Sequence, residues 1–318
     1  MLFPGDHVVA ADGRERDRAR LNVVLFIALV FTWGSSFLLI RIGIGMFPPL
    51  QLAAVRALLG AVTLLAVLFA TGRRLPRGRS IWWHMFVVAS AQCSIPFALT
   101  AWVVQYLPSG LASIDNAAAP MLTVAFTPLL LRNERFSSTQ VLGLLVGVAG
   151  VVVLLAPWNL AGGGADLHLA AELAMLLSAT VYAFGLVYMR RFVAGTGHEP
   201  MTVATMQMVL CAGVLLGPGL ATLGAPVRFN AQAVVAVVIL GALGTGIAYI
   251  WNARLIRDWG ASRTSTVTYL MPLVGVVAGA VLLDESLSWN QPLGGAVILA
   301  GILVSRRSTP PANPPTAV

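Results

Sequence analysis

Ten apolar runs of bilayer-crossing length divide this chain of 318 residues and leave little of it for anything else. A hydrocarbon core about 30 Å thick takes about 20 residues of helix. By that ruler the spans lie near 21–42, 48–70, 81–106, 109–131, 138–156, 168–189, 200–222, 231–253, 260–283 and 289–305. The expected fold is all-α integral membrane, with ten transmembrane helices. Composition agrees: 58% of residues are hydrophobic, 10% are charged and the mean hydropathy is +0.85, whereas a soluble domain carries about 25% charge. The first span is too long for a signal-peptide core and has no small-residue cleavage site behind it, so it reads as a retained anchor. The flanks, 1–20 and 308–318 (the latter with Pro310, Pro311, Pro314 and Pro315), read as disordered tails.

All twenty basic side chains are arginine, and the chain has no lysine. A retinal or pyridoxal Schiff base needs a lysine amine, and a Walker-type ATPase needs the lysine of its phosphate loop. Neither can be built here. The net charge is +8, but the arginines sit in short clusters between apolar runs, which points to an anionic membrane face rather than to nucleic acid. Seventeen fall on the tails and even-numbered connections, including Arg14, Arg16, Arg73, Arg74, Arg77, Arg79, Arg132, Arg135, Arg190, Arg191 and Arg307. Only Arg41 and Arg228 lie on the opposite side, and Arg56 lies within a span. The positive-inside rule then puts both termini in the cytoplasm of a multi-pass plasma-membrane protein, of the bacterial inner-membrane type.

A shift of 151 residues superimposes 134–153 on 285–304 with nine of twenty positions identical, among them Glu134/Glu285, Gln140/Gln291, Gly143/Gly294 and Gly150/Gly301. At nearly the same shift Pro49 matches Pro200, and Arg41 matches Arg190 two residues earlier. The chain therefore reads as two homologous halves, 21–156 and 168–307, of five spans each. Five is odd, so equivalent spans cross in opposite directions. Inverted repeats of this kind support alternating access, because the halves can exchange conformations.

The residues Trp33-Gly34-Ser35-Ser36-Phe37, Arg56 and the blocks Pro120…Glu134 and Pro272…Glu285 resemble the drug/metabolite transporter superfamily, EamA branch. The resemblance covers about 21–307, with Pro120 to Glu134 one residue longer than its counterpart. It implies a central cavity lined by spans 1, 3, 4, 6, 8 and 9, a scaffold role for spans 5 and 10, and export of small metabolites such as amino acids.

Charges within spans are few. Asp115 lies about 9 Å into span four, Arg56 about 12 Å into span two and Glu172 about one turn into span six, all from the same side. An Arg56–Asp115 pair at matching depth would offset part of the insertion cost; Asp115 or Glu172 would alternatively carry a proton. The plain alternative makes Arg56 structural and Asp115 a solvated helix-start residue. Asp115 is also a candidate for binding a zwitterionic substrate, and the uncharged candidates are Trp33, Ser36, Gln92, Asn116, Tyr182, Thr245 and Asn252, for each of which bonding to a neighbouring helix is the commoner role. Trp33 and Tyr182 occupy matching places in the two halves and could flank a cavity. Pro96, Pro120, Pro128 and Pro272 remove backbone bonds within spans. Gly143, Gly147 and Gly150, echoed by Gly294 and Gly301, allow close packing of spans 5 and 10 or a homodimer seam. Cys93 and Cys211 read as packing residues and His84 as interfacial. No metal-ligand spacing, cofactor motif or catalytic nucleophile stands out.

The leading expectation is a secondary exporter of small polar metabolites, with a small-molecule substrate and membrane lipids as its partners. A lipid or lipid-linked sugar translocase is the alternative. A membrane-embedded enzyme would need a convergent acid–base or metal cluster, and none is visible.

Overall fold

The computed structural model describes residues 6–131, 137–155, 166–224 and 229–306, with the backbone alone described for 6–16, 166, 261, 262 and 306. Arg132, Glu134, Arg135, Arg228, Arg307 and the Pro-rich 308–318 lie outside these residues, as do the side chains of Arg14 and Arg16. Among the described residues all regular structure is helical, as hydrocarbon demands of a backbone that finds no water. Helix α1 (Asp6–Gly34) meets α2 (Ser36–Gly43) at Ser35. Its start at Asp6 corrects the expectation of a disordered tail. A stretch rich in Ala and Arg extends a helix that the apolar span has already nucleated.

The first half continues with α3 (Pro49–Ala70), α4 (Arg79–Ala89), α5 (Ile95–Val103), α6 (Ser109–Asn116), α7 (Ala119–Leu130) and α8 (Ser138–Leu155). The second holds α9 (Asp166–Phe192), α10 (Pro200–Ala221), α11 (Ala231–Val238), α12 (Ala248–Trp259), α13 (Ala261–Thr264), α14 (Val267–Leu283) and α15 (Asn290–Arg306). Two π-helical segments join neighbours end to end: Ser90–Ser94 between α4 and α5, and Ile239–Ile247 between α11 and α12. Pro49, Pro120 and Pro200 stand in the first turn of their helices, where no backbone N–H is missed, whereas Pro96 follows directly on the first π segment inside the continuous stretch Arg79–Val103. Pro120 therefore opens a helix; Pro96, Pro128 and Pro272 lie inside helical stretches.

Among the described residues seven helical stretches are long and apolar enough to cross a membrane: Asp17–Gly43, Pro49–Ala70, Arg79–Val103, Ser138–Leu155, Leu167–Thr196, Pro200–Ala221 and Ala231–Trp259. Val267–Leu283 and Asn290–Ser305 are apolar but shorter. The run at 109–131 is split into α6 and α7 around Ala117 and Ala118.

Lipid tails are as apolar as leucine, so these helices associate through close packing and polar contacts. Helices α8 and α15 approach backbone to backbone. A side chain at Gly301 would stand 2.6 Å from the Gly143 carbonyl and 2.7 Å from the Gly147 nitrogen. The expected glycine seam is thus engaged within one chain. Asn290 at the start of α15 donates to the Leu154 carbonyl at the end of α8 (2.9 Å), so the two helices run antiparallel. Helices α3 and α10 are antiparallel too. Gln51 donates to the Thr222 carbonyl at one end (2.6 Å), and Arg73 pairs with Glu199 at the other (2.8 Å). Gly34 of the Trp-Gly-Ser stretch has no room for a Cβ, because Val274 of α14 would lie 2.6 Å away.

Candidate functional site

The centre of the bundle gathers polar and aromatic side chains from both halves. Arg56 of α3 is buried (9% exposed) and donates through Nε to Thr245 Oγ1 at 2.9 Å. Its guanidinium carbon lies 3.8 Å from the centre of the Phe97 ring, a cation–π contact. Thr245 stands on the second π segment, and its hydroxyl donates to the Leu240 carbonyl five residues back (2.9 Å). The first π segment does the same, with Ser94 donating to Ala89 at 3.3 Å. A π turn widens the helix, and Ser and Thr hydroxyls here take up carbonyls of the widened ladder.

Gln207 of α10 reaches the first π segment much as Arg56 reaches the second. Its amide donates to Cys93 Sγ (3.0 Å) and to Gln92 Oε1 (3.3 Å), and Gln92 donates in turn to the Gly185 carbonyl of α9 (2.9 Å). Cys93 Sγ lies 3.7 Å from the Tyr249 hydroxyl. Trp33 donates its indole N–H to the Gly244 carbonyl (3.1 Å), and its ring meets Tyr249 edge-on at 5.7 Å. Cys93 and Cys211 are free and buried.

Neither terminal nitrogen of Arg56 makes a hydrogen bond among the described residues, and neither is sealed from a water-sized probe. Arg56 forms no ion pair there either. The Arg56–Asp115 pair expected from matching depth is not formed: Arg56 turns to α5 and the second π segment, while Asp115 faces elsewhere. Depth along a helix fixes height, and packing fixes which way a side chain points.

Asp115, at the end of α6, is 0% exposed, so it is no solvated helix-start residue. Both its carboxylate oxygens lack a partner, and among the described residues no other buried side-chain polar atom does. Glu172 of α9, which packs against α6, is 8% exposed and close enough for the two carboxylates to interact electrostatically. A third acid, Glu285, caps α6 from the far half. It accepts from Ser109 N–H and hydroxyl (each 2.9 Å) and from Gly110 N–H (3.0 Å).

The other candidates divide. Trp33, Gln92 and Thr245 join the central group. Tyr182 of α9 is near enough to Tyr249 for electrostatic interaction. Ser36 bonds the Thr32 carbonyl of its own helix at 3.0 Å. Asn116 and Asn252 are half-buried and have no hydrogen-bond partner among the described residues. His84 shares a 2.9 Å contact with the Tyr188 hydroxyl and stacks on Phe192 at 5.0 Å. Sequence reading missed Phe97, Gln207 and Tyr249. For Gln207 the signal existed: the 151-residue repeat maps position 56 onto 207 and position 94 onto 245. No group of three or more His, Cys, Asp or Glu able to hold a metal occurs among the described residues.

A helical bundle with bilayer-length apolar stretches, glycine seams and a polar core contributed by both halves defines a multi-pass membrane protein of the transporter class. Comparison with known proteins narrows the class. Residues 20–156 and 169–307 each match the EamA-like transporter family, and the chain belongs to that family. It is 31% identical over 285 residues to an uncharacterized inner membrane transporter, YedA, of Escherichia coli K12, covering 87% of this chain and 88% of that one. It is 27% identical over 305 residues to a protein of Salmonella typhimurium LT2 named as a probable amino-acid metabolite efflux pump, covering 90% and 95%. A crystal structure of 24% sequence identity superimposes with a TM-score of 0.62 over 90% of this chain and 97% of that one, a likeness of fold.

Proposed function

We propose that this protein is a secondary transporter that exports small polar metabolites bearing a carboxylate, amino acids foremost, across a bacterial plasma membrane by alternating access. One observation carries the reading. Among the described residues Arg56 is a buried cation without a counter-ion, and its two terminal nitrogens make no hydrogen bond. An unpaired charge in such a place is costly. A guanidinium fork matches a carboxylate, and a substrate carboxylate would supply the missing partner. Phe97, Trp33 and Tyr249 offer apolar walls, and Gln92 and Gln207 offer amides for the remaining polar groups. The efflux pump of Salmonella supports the same substrate class by its name.

In this reading the bundle has ten spans, both termini are cytoplasmic, and the halves are inverted repeats. The antiparallel pairing of α3 with α10 and of α8 with α15 supports inversion, because these are the equivalent spans. So does the crossed arrangement at the centre. Arg56 of one half reaches the other half's π segment, and Gln207, its counterpart, reaches back. The reading assigns no catalytic step, no cofactor and no metal.

The test is counterflow in proteoliposomes with labelled amino acids, nucleobases and sugars. Arg56→Gln is expected to abolish exchange of carboxylate-bearing solutes, and Arg56→Lys to leave a weakened exchange. Lipid flip-flop without solute flux, or solute exchange indifferent to Arg56→Gln, overturns the reading.

A further inference from the structure

Asp115 is not needed by the central site. It lies on a different helix, Arg56 does not pair with it, and its carboxylate has no hydrogen-bond partner. Backbone and side chains wall it in on every side. Gly275 of α14 leaves room for Ser113, Gly279 for Glu285 and Gly295 of α15 for Ile114, so α6 is wedged among α14, α15, α9 and α2. These neighbours bring few charges. Helix α9, packed against α6, carries Glu172, with His168 exposed a turn earlier. On α2, Arg41 is committed to the Val104 carbonyl at the end of α5. Helix α14 carries Tyr269 three residues into its length, and α15 carries Arg306 at its last residue. Glu285, just beyond α14, is spent on the α6 N-terminus. Among the described residues no cation pairs with Asp115.

Helix α9, which carries Glu172, packs against α6, which carries Asp115. Asp115 is sealed; Glu172 keeps part of its side chain at the surface. Directly after Asp115 the helix breaks at Ala117 and Ala118, whose N–H groups turn back to carbonyls three residues earlier at 2.9 and 3.1 Å. A buried acid beside a break in a spanning segment is placed where a rearrangement of the chain can change its surroundings.

We propose that Asp115 and Glu172 form a proton-binding site distinct from the solute site. Asp115 holds the proton, and Glu172 exchanges it with water on the side where α6 and α9 begin, the outer side in the proposed topology. Without a partner a buried, ionised carboxylate is unfavourable. Release requires Asp115 to gain water or a cation, which follows movement of α6 against α9. The site itself stands independently of the solute; its use as the driving site for export rests on the transporter reading above.

Infrared difference spectra of the purified protein in lipid, titrated with pH alone, test the site. The wild type is expected to show the carbonyl stretch of a neutral carboxylic acid at neutral pH, and Asp115→Asn to lose it. Glu172→Gln should keep the band but move the pH at which it disappears, which provides the test should Asp115→Asn fail to fold. Absence of the band in the wild type overturns the proposal, and so does a band moved by sodium at constant pH. In proteoliposomes Asp115→Asn is expected to keep counterflow without a gradient and to lose its acceleration by a pH gradient. Gradient-driven flux that survives Asp115→Asn, or counterflow lost with it in a protein of native melting temperature, overturns the coupling role. If wild-type counterflow is absent while the band behaves as expected, the transporter reading fails and the proton site stands.

Discussion

Arg56 is anchored by one hydrogen bond and one aromatic ring, and its anchor can be weighed separately from its proposed ligand. Thr245→Val keeps the shape of the side chain and removes the acceptor for Nε–H. A hydrogen bond to a charged group contributes about 1.5–3 kcal/mol. Thermal unfolding in detergent should record a loss of that order, with Thr245→Ser restoring most of it; equal melting of Thr245→Val and wild type would mean the bond holds nothing. Residues of this kind were legible because they are polar within apolar runs. Arg56, Gln92, Thr245 and Asp115 stand out in that way, and Trp33 by the Trp-Gly-Ser stretch. Phe97, Cys93 and Tyr249 did not, since an aromatic or a thiol in such a run looks like packing. The pairing of Arg56 with Asp115 was misread for a related reason. Apolar residues surround these helices on all sides, so the pattern carries depth and no azimuth.

At the level of the element, glycine spacing was the more informative signal. The Gly143–Gly147–Gly150 stripe and its echo at Gly294 and Gly301 marked a close-packed surface, and the structure chose its partner. Gly301→Leu would drive a side chain against the Gly143 carbonyl and Gly147 nitrogen, backbone atoms that cannot rotate away. Overpacking typically costs about 1–3 kcal/mol, and here the α8–α15 pair should separate or the protein should melt several degrees lower. Gly213→Leu is the control, because nothing lies within 4 Å of its added Cβ; its melting temperature should match the wild type. The π segments and the break between α6 and α7 were not legible. A π turn needs one extra residue per turn and leaves no mark in a run such as Ile239–Ile247, where every residue is apolar, glycine or threonine. Helix ends were read to within a few residues where Pro or Asn marks them, as at Pro49, Pro200 and Asn230. The start of α1 was missed because its charged residues favour helix as much as they favour solvent.

For the whole molecule the decisive quantity is the side on which each loop lies. Arg73 pairs with Glu199 and also donates to Met201 Sδ at 3.0 Å, so the loop after α3 and the loop before α10 occupy the same face. Helix α10 is long enough to cross, so Asn230, beyond its far end, belongs to the opposite face. Arginine counting assigns the Arg73 side to the cytoplasm. Single cysteines at His198 and Asn230, in a background with Cys93→Ala and Cys211→Ala, therefore make a direct test with a membrane-impermeant maleimide. Intact cells should label position 230, and position 198 should label only after permeabilisation. A third cysteine at Gly72 should follow position 198, since the Arg73–Glu199 pair ties their loops together. Reversed labelling would keep the fold and invert the proposed direction of the proton site, moving Glu172 to the cytoplasmic water. Labelling of 72 and 198 from opposite sides would break the antiparallel α3–α10 pair, and with it the geometry that brings Arg56 and Gln207 to the two π segments.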